Sequence, residues 1–316
     1  MGSGINRTYL LVVGMDELID KVYEKRLLSS KKLWKELAYY MGLLLCGVKD
    51  SYLIDCCALK ITVATEIIAK IVNAIKKRSN NDLISKVRLV FVLLDQDIIV
   101  IRDDVLIKKL KLLRENNWTQ HPFIVNIEGE EPNICNDEEI ARITECLMIA
   151  TKTINLDNLP GIININKNGC IVSTIGFVFV AGWLLSYPCI YYYNKHHEGE
   201  IEAATKTKLK EDSEIEIDGA CSCDNSLSMQ TLIKYYVTIC ISACTRSQIH
   251  CIEFTIPKKI YEHNSSLQQL FEQVISEMTR SFKSNFEEIL KKSNYILAIS
   301  DVSLKTEEVL MPAVML

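Results

Sequence analysis

The chain has 316 residues, 48% of them hydrophobic and 24% charged, with only 12 Gly and 6 Pro. That is globular composition with material for a sizeable core, and it excludes overall disorder. A formal net charge of −4 and an isoelectric point near 5.8 lack the basic excess of a dedicated nucleic-acid binder.

At the N-terminus, "TYLLVVGMDE" is a short apolar run that meets acid at once and has no small-residue cleavage site, so no secretory leader is expected. "MGSGIN" has the glycine that myristoylation needs but carries Asn6 where Ser or Thr is required. "DELIDKVYEKRLLSSKKLWKELAYYMGLLL" repeats apolar residues every three or four positions and breaks at Ser29-Ser30, which predicts two helices. "SYLIDCCAL" reads as a buried strand and "TEIIAKIVNAIKKR" as an amphipathic helix with basic residues at its C-terminus. "VRLVFVLLDQDIIVIRD" predicts a hairpin around Asp95-Gln96-Asp97. "DDVLIKKLKLLREN" follows as a helix with its two aspartates at the cap. "PFIVNIE" is a further strand and "DEEIARITECLMIATKTI" a helix with acids in its first turn.

No charge occurs from Asn168 to Asn194, a stretch long enough to span a bilayer. Pro188 and the β-rich "CIYYY" divide it, so the better reading is a buried helix, a turn and a buried strand, each too short to span. On that strand Tyr191 and Tyr193 share one face and Tyr192 takes the other. Residues 195–223 are polar, net acidic and without periodicity, the pattern of a long surface insertion. "LIKYYVTICISAC" and "IHCIEFTIPKKI" pair as strands, "SLQQLFEQVISEMTRSFKSNFEEILKK" is a long amphipathic helix with a Ser cap, and "YILAISDVSL" and "EEVLMPAVML" are two closing strands. Strands and helices occur throughout, with hairpins among them. The expected fold is a single α+β domain, 1–316, with a mixed or largely antiparallel sheet covered by helices and the insertion at about 195–223.

The twelve cysteines lie inside apolar runs rather than between loops, which predicts reduced core residues in an intracellular compartment. Glycine-rich nucleotide loops, a nucleophile elbow and the zinc-protease helix motif are missing from the sequence. His196, His197, Cys221 and Cys223 could be drawn as a metal site, but adjacent histidines and Cys-x-Cys are not zinc spacing. His250 falls on the opposite strand face from Cys251 and cannot serve as its base. The sequence leaves any cofactor unidentified. Acids at strand ends are the stronger candidates: Asp55 after "YLI", Glu128, Glu130 and Glu131 after "PFIVNI", and Asp224-Asn225 before the next strand. Strand ends are where α/β-type sheets present functional groups, although Asp and Asn also close turns there.

"LLSYPCIYYYN", "DNSLSMQTLIKYYVTI" and "SDVSLKTEEVLMPAVML" resemble, in order, the hallmark segments of an uncharacterised animal protein family named after chromosome 1 open reading frame 74. "YLIDCCAL" is similar to that family's strand ending in Asp. Tyr187, Pro188, Asp224, Asn225, Leu227, Pro312 and Leu316 fit its pattern; Ser186 stands where Gly is typical, and Ser226 where Cys is common. The resemblance implies a soluble intracellular protein and no established activity.

The leading expectation is a cytosolic domain that binds a small molecule or a protein, with neither nucleic acid nor membrane as partner. One alternative is a small-molecule hydrolase or transferase using Asp55 and Asp224, with Tyr187 or Tyr191 as acid or orienting group. The other is an adaptor docking through residues 195–223. Asp55, Tyr187, Asp224 and Asn225 are expected to converge at one end of the sheet, where mutual repulsion would raise the pKa of one acid.

Overall fold

The computed structural model describes residues 15–55, 58–79, 82–94, 96–117, 123–128, 131–165, 175–193, 227, 230–241, 248–263, 265–292 and 299–310. The elements run α1 (Met15–Val22), α2 (Lys31–Leu45), β1 (Ser51–Leu53), α3 (Ile61–Ser79), α4 (Asp82–Lys86), β2 (Leu89–Leu94), β3 (Asp97–Arg102), α5 (Asp103–Arg114), β4 (Phe123–Asn126) and β5 (Asn133–Ile134). They continue α6 (Asp137–Thr151), β6 (Ile162–Asn164), α7 (Phe177–Leu184), β7 (Cys189–Tyr192), β8 (Thr231–Ile241), β9 (Gln248–Pro257), α8 (Lys258–His263), α9 (Ser265–Lys292) and β10 (Ile299–Leu310).

The architecture is α+β, with the described strands divided among three sheets. The first has the order β1-β3-β2-β6, in which only the β2–β6 pair is parallel. Its hairpin falls where the Asp95-Gln96-Asp97 signal put it, pairing Leu94 with Asp97. Period-2 side-chain alternation sends the two faces to different cores. Val90, Val92, Leu94, Ile99 and Ile101 face a cluster built with α5, α6 and α7. Tyr52, Ile54, Ile98 and Val100 face another built with α1 to α4. Trp34 of α2 is fully buried in the latter, and its indole donates to the Leu28 carbonyl at 3.2 Å. Ser30 caps α2 by accepting from the Leu33 amide.

The second sheet, β5-β4-β7, pairs β4 and β7 in parallel. Both of its faces are covered. Ile124, Ile190 and Tyr192 enter the α5–α7 cluster, while Phe123, Val125, Cys189 and Tyr191 turn to a third cluster containing α9. The tyrosine alternation expected of "YPCIYYY" is therefore present, with Tyr193 on the Tyr191 side. The third sheet, β10-β8-β9, is antiparallel throughout, and α9 crosses it.

Several details depart from the sequence reading. Over the described residues the two closing strands are one continuous strand, β10, because β8 pairs with it antiparallel from Thr231 to Ile241, with a register shift at Ile299/Asp301. The cap of α5 is Arg102, whose side chain makes no capping bond; Asp103 and Asp104 occupy the first turn instead. The short β5, β6 and α8 had no sequence signal strong enough to predict them. Nor did the reading anticipate the capping box at α6, where Asn136 accepts from the Glu139 amide and the Glu139 carboxylate accepts from the Asn136 amide. The same carboxylate accepts from the buried Asn126 amide group at the end of β4. That pair fixes the start of α6 against the second sheet.

Candidate functional site

Of the four residues expected to converge, Asp224 and Asn225 lie outside the described residues, as do His196, His197, Cys221, Cys223, Glu130 and the 195–223 insertion. Asp55 follows β1 and is exposed. Its carboxylate therefore avoids the desolvation that the apolar run "YLI" suggested. Glu128 is half-buried, and its amide donates to the Asn126 side chain at 2.8 Å. Glu131 is exposed and ion-paired with Lys259 at 2.8 Å.

Tyr187 sits where α7 hands over to β7. The helix ends in two reverse hydrogen bonds, Ser186 N–H to the Trp183 carbonyl at 3.2 Å and Tyr187 N–H to the Gly182 carbonyl at 3.0 Å. This is the Schellman pattern, which demands a left-handed residue between them. Ser186 fills that position at φ 61°. Left-handed backbone costs an L-residue about 1–2 kcal/mol, partly offset by the extra unfolded-state entropy of Gly. Ser186→Gly should therefore stabilise the fold by about 0.5–1 kcal/mol. Equilibrium urea unfolding checks this, and a destabilised variant would contradict the strain.

Burial pushes the Tyr187 phenol up to about 12, and the carboxylates of Asp55 and Glu253 add to the shift. Asp55 and Tyr187 are thus within electrostatic reach of each other, joined by Glu253 of β9, which the sequence did not nominate. A phenol held this high stays neutral near pH 7 and acts as a hydrogen-bond donor. Tyr191, the other tyrosine considered for catalysis, is hydrogen-bonded to Thr255 across 2.8 Å. Burial raises its pKa as well. It ties β7 to β9.

A second polar group lies at the same helix end. Ser51 donates to the Leu184 carbonyl at 2.9 Å, and the Lys109 ammonium donates to the Trp183 carbonyl at 2.8 Å. A cation at a helix C-terminus complements the helix dipole. Burial nevertheless pulls Lys109 down to about 8, opposed by Asp50 and assisted by Lys108.

A concave feature lies elsewhere, between α9 and the β8–β10 face of the third sheet. It is a groove of about 930 Å³, open along one side. Its floor is apolar, formed by Ile233, Tyr235, Ile275 and Leu304. Ile233 and Tyr235 point to one face of β8 by strand alternation, opposite Glu308 and Thr306 of β10. At one end, Tyr261 donates to the Glu272 carboxylate at 2.8 Å, and Tyr235 is hydrogen-bonded to Tyr261. Burial, first, and that bond raise the Tyr235 pKa; burial and the Glu272 carboxylate raise that of Tyr261. Lys258 bridges Glu308 at 2.8 Å and Glu262 at 3.5 Å at the same end. Further along α9, Thr279, Arg280 and Lys283 also line the groove. The sequence reading placed α9 correctly as a long amphipathic helix, which implies a polar stripe along it. Only the pairing of β8 with β10 reveals that this stripe roofs a groove, because the partners are about 70 residues away, as with Tyr236 and Glu307.

Among the described residues, no group of three or more His, Cys, Asp and Glu side chains is placed to hold a metal ion, and no helix is long and apolar enough to cross a membrane. No family model, curated protein or solved structure matches the chain.

Proposed function

We propose that the chain is a cytosolic ligand-binding domain whose binding site is the groove beneath α9. The observation that carries this reading is the groove itself. Its volume of about 930 Å³ falls in the range of small-ligand sites, and its apolar floor lies among many polar and charged side chains that can fix a ligand's orientation. The hydrogen-bonded series Tyr235, Tyr261 and Glu272 fixes its polar end before any ligand arrives, which reduces the entropy lost on binding. The cytosolic assignment draws support from Cys46, Cys135, Cys146 and Cys189, which are free thiols. Left-handed Ser186, at a position where the resembled family typically carries Gly, supports that resemblance.

The test is a thermal-shift screen of metabolites and short peptides, run in parallel on wild type and Ser276→Trp. Ser276 is exposed on α9 and lines the groove, so an indole there fills the site at little cost to the core. A ligand at a hundred times its Kd should raise the Tm of wild type by about 5 °C. The variant should show no such shift. Stabilising ligands that act equally on both proteins would refute the assignment.

A second reading, a small-molecule hydrolase or transferase at Asp55 and Tyr187, is favoured by one observation: two carboxylates act on the Tyr187 phenol. Asp55→Asn should then abolish any turnover found in a hydrolase panel while leaving ligand-induced shifts at the groove intact.

A further inference from the structure

The groove is electrically asymmetric along its length. At the α8 end stand Glu262, Glu272, Glu307 and Glu308, and Lys258 is the cation that pairs with two of them among the described residues. That leaves the end negative. Arg280 and Lys283 stand two to three helical turns further along the same wall, and neither makes an ion pair among the described residues. With a rise of 1.5 Å per residue, Glu272 and Lys283 are separated by about 16 Å along α9. The opposite wall agrees: Leu304 to Glu308 on β10 spans about 13 Å. Between the two charged ends the floor is Ile233, Tyr235, Ile275 and Leu304, with no charge.

A ligand that satisfies this arrangement carries a cation at one end, an anion at the other and apolar groups between. A polyamine would meet Arg280 and Lys283, and a nucleotide or polyphosphate would meet the glutamates; each is repelled by one end. An extended peptide of four residues spans about 13 Å, and its free termini are the required ammonium and carboxylate. Accordingly, we infer that the groove binds short unblocked peptides of about three to five residues, with the amino terminus against Glu272 and Glu308 and the carboxylate against Arg280 and Lys283. Leucine-sized side chains take the apolar floor. Glu272 is already oriented to receive an ammonium. Tyr261 donates to one of its carboxylate oxygens, Oε1, at 2.8 Å, which holds the group in place and leaves the other oxygen to accept from the peptide.

This inference rests on the groove being the binding site, and the experiment separates the two. Isothermal calorimetry would compare the tetrapeptide Ala-Leu-Ala-Leu with its N-acetyl and its C-amide forms on wild type, Glu272→Gln, Lys283→Gln and Ser276→Trp. Expected is binding of the unblocked peptide, weakened about tenfold by either block, the scale of one lost charge-assisted hydrogen bond. Glu272→Gln should weaken the unblocked peptide and leave the N-acetyl form unchanged. Lys283→Gln should weaken the unblocked peptide and leave the C-amide form unchanged. Ser276→Trp should bind none of them. Suppose peptides fail to bind while a neutral or singly charged molecule shows a Ser276-dependent shift. The site then stands and the peptide assignment is overturned. If no ligand depends on Ser276, both fall.

Discussion

Phe271→Ala is expected to lower the unfolding free energy by about 3–5 kcal/mol, the range for removing a fully buried aromatic side chain. Phe271 is 0% exposed, and three parts of the molecule close on it. Its ring lies 5.3 Å from Phe123 of the second sheet, 5.3 Å from Tyr235 of the third, and 6.1 Å from Tyr261 of α8. The Phe254 ring stands 6.0 Å away and is itself stacked on Tyr235. Truncation leaves a cavity among rings that are too large to collapse into it. Because typical domains have only about 5–15 kcal/mol in total, a large fraction of the folded state's margin is at stake. Phe271→Leu keeps most of the volume and should cost less, about 1–2 kcal/mol. Guanidinium unfolding of both variants distinguishes the cases. A loss below about 1 kcal/mol for the alanine variant would mean that α9 is not seated on the third sheet, and the groove would lose its wall. Tyr235 and Tyr261 both pack on this ring, so the alanine variant should also lose ligand-dependent shifts before it loses its helices.

The same residue shows what the sequence could and could not reveal. Phe271 lies at an apolar position of a helix-period stripe, so the helix and its inward face were legible in "SLQQLFEQVISEMTRSF". Which sheet it would cover was not, because that depends on pairing partners more than a hundred residues away, such as Phe123. The alternation of Tyr191, Tyr192 and Tyr193 was legible for the converse reason: period-2 burial is written locally. It divided those side chains between two cores as the pattern implied. Local signals also yielded the β2–β3 hairpin and the break at Pro188. They failed at β5 and β6, which are only two and three residues long and owe their pairing entirely to β4 and β2. For the site, sequence reasoning selected acids by their position at strand ends. It could not tell that Asp55 would be exposed or that Glu253 would reach Tyr187. Nor could it assemble the groove, whose charge asymmetry exists only once α9, α8 and β10 are side by side.

Lys109 makes the last prediction. In the folded state burial lowers its pKa from 10.5 to about 8. Between those values the unfolded chain holds a proton that the folded chain has released, so Lys109 adds stability as pH rises through that window. At pH 7 both states are protonated and the enclosed ammonium is a net burden, relieved in part by the Trp183 carbonyl. The buried thiols act in the opposite sense. Cys46 and Cys135 are pushed from 9.0 up to about 12, so the stability their burial provides is full below pH 9 and is lost as pH rises toward 12. Tyr187 and Tyr192, raised from 10.0 to about 12, add to that loss above pH 10. The wild-type curve alone therefore hides Lys109, and the informative quantity is the difference from Lys109→Met. Methionine keeps the length of the stem and removes the proton, while every cysteine and tyrosine remains in both proteins. Between pH 7 and pH 10 that difference should move by about 2 kcal/mol in favour of wild type, within the limit of about 3 kcal/mol that a shift of this size allows. Urea unfolding at half-unit pH intervals measures it. A difference that stays flat across the window would show that the ammonium is solvated, leaving Lys109 with only its bond at the end of α7.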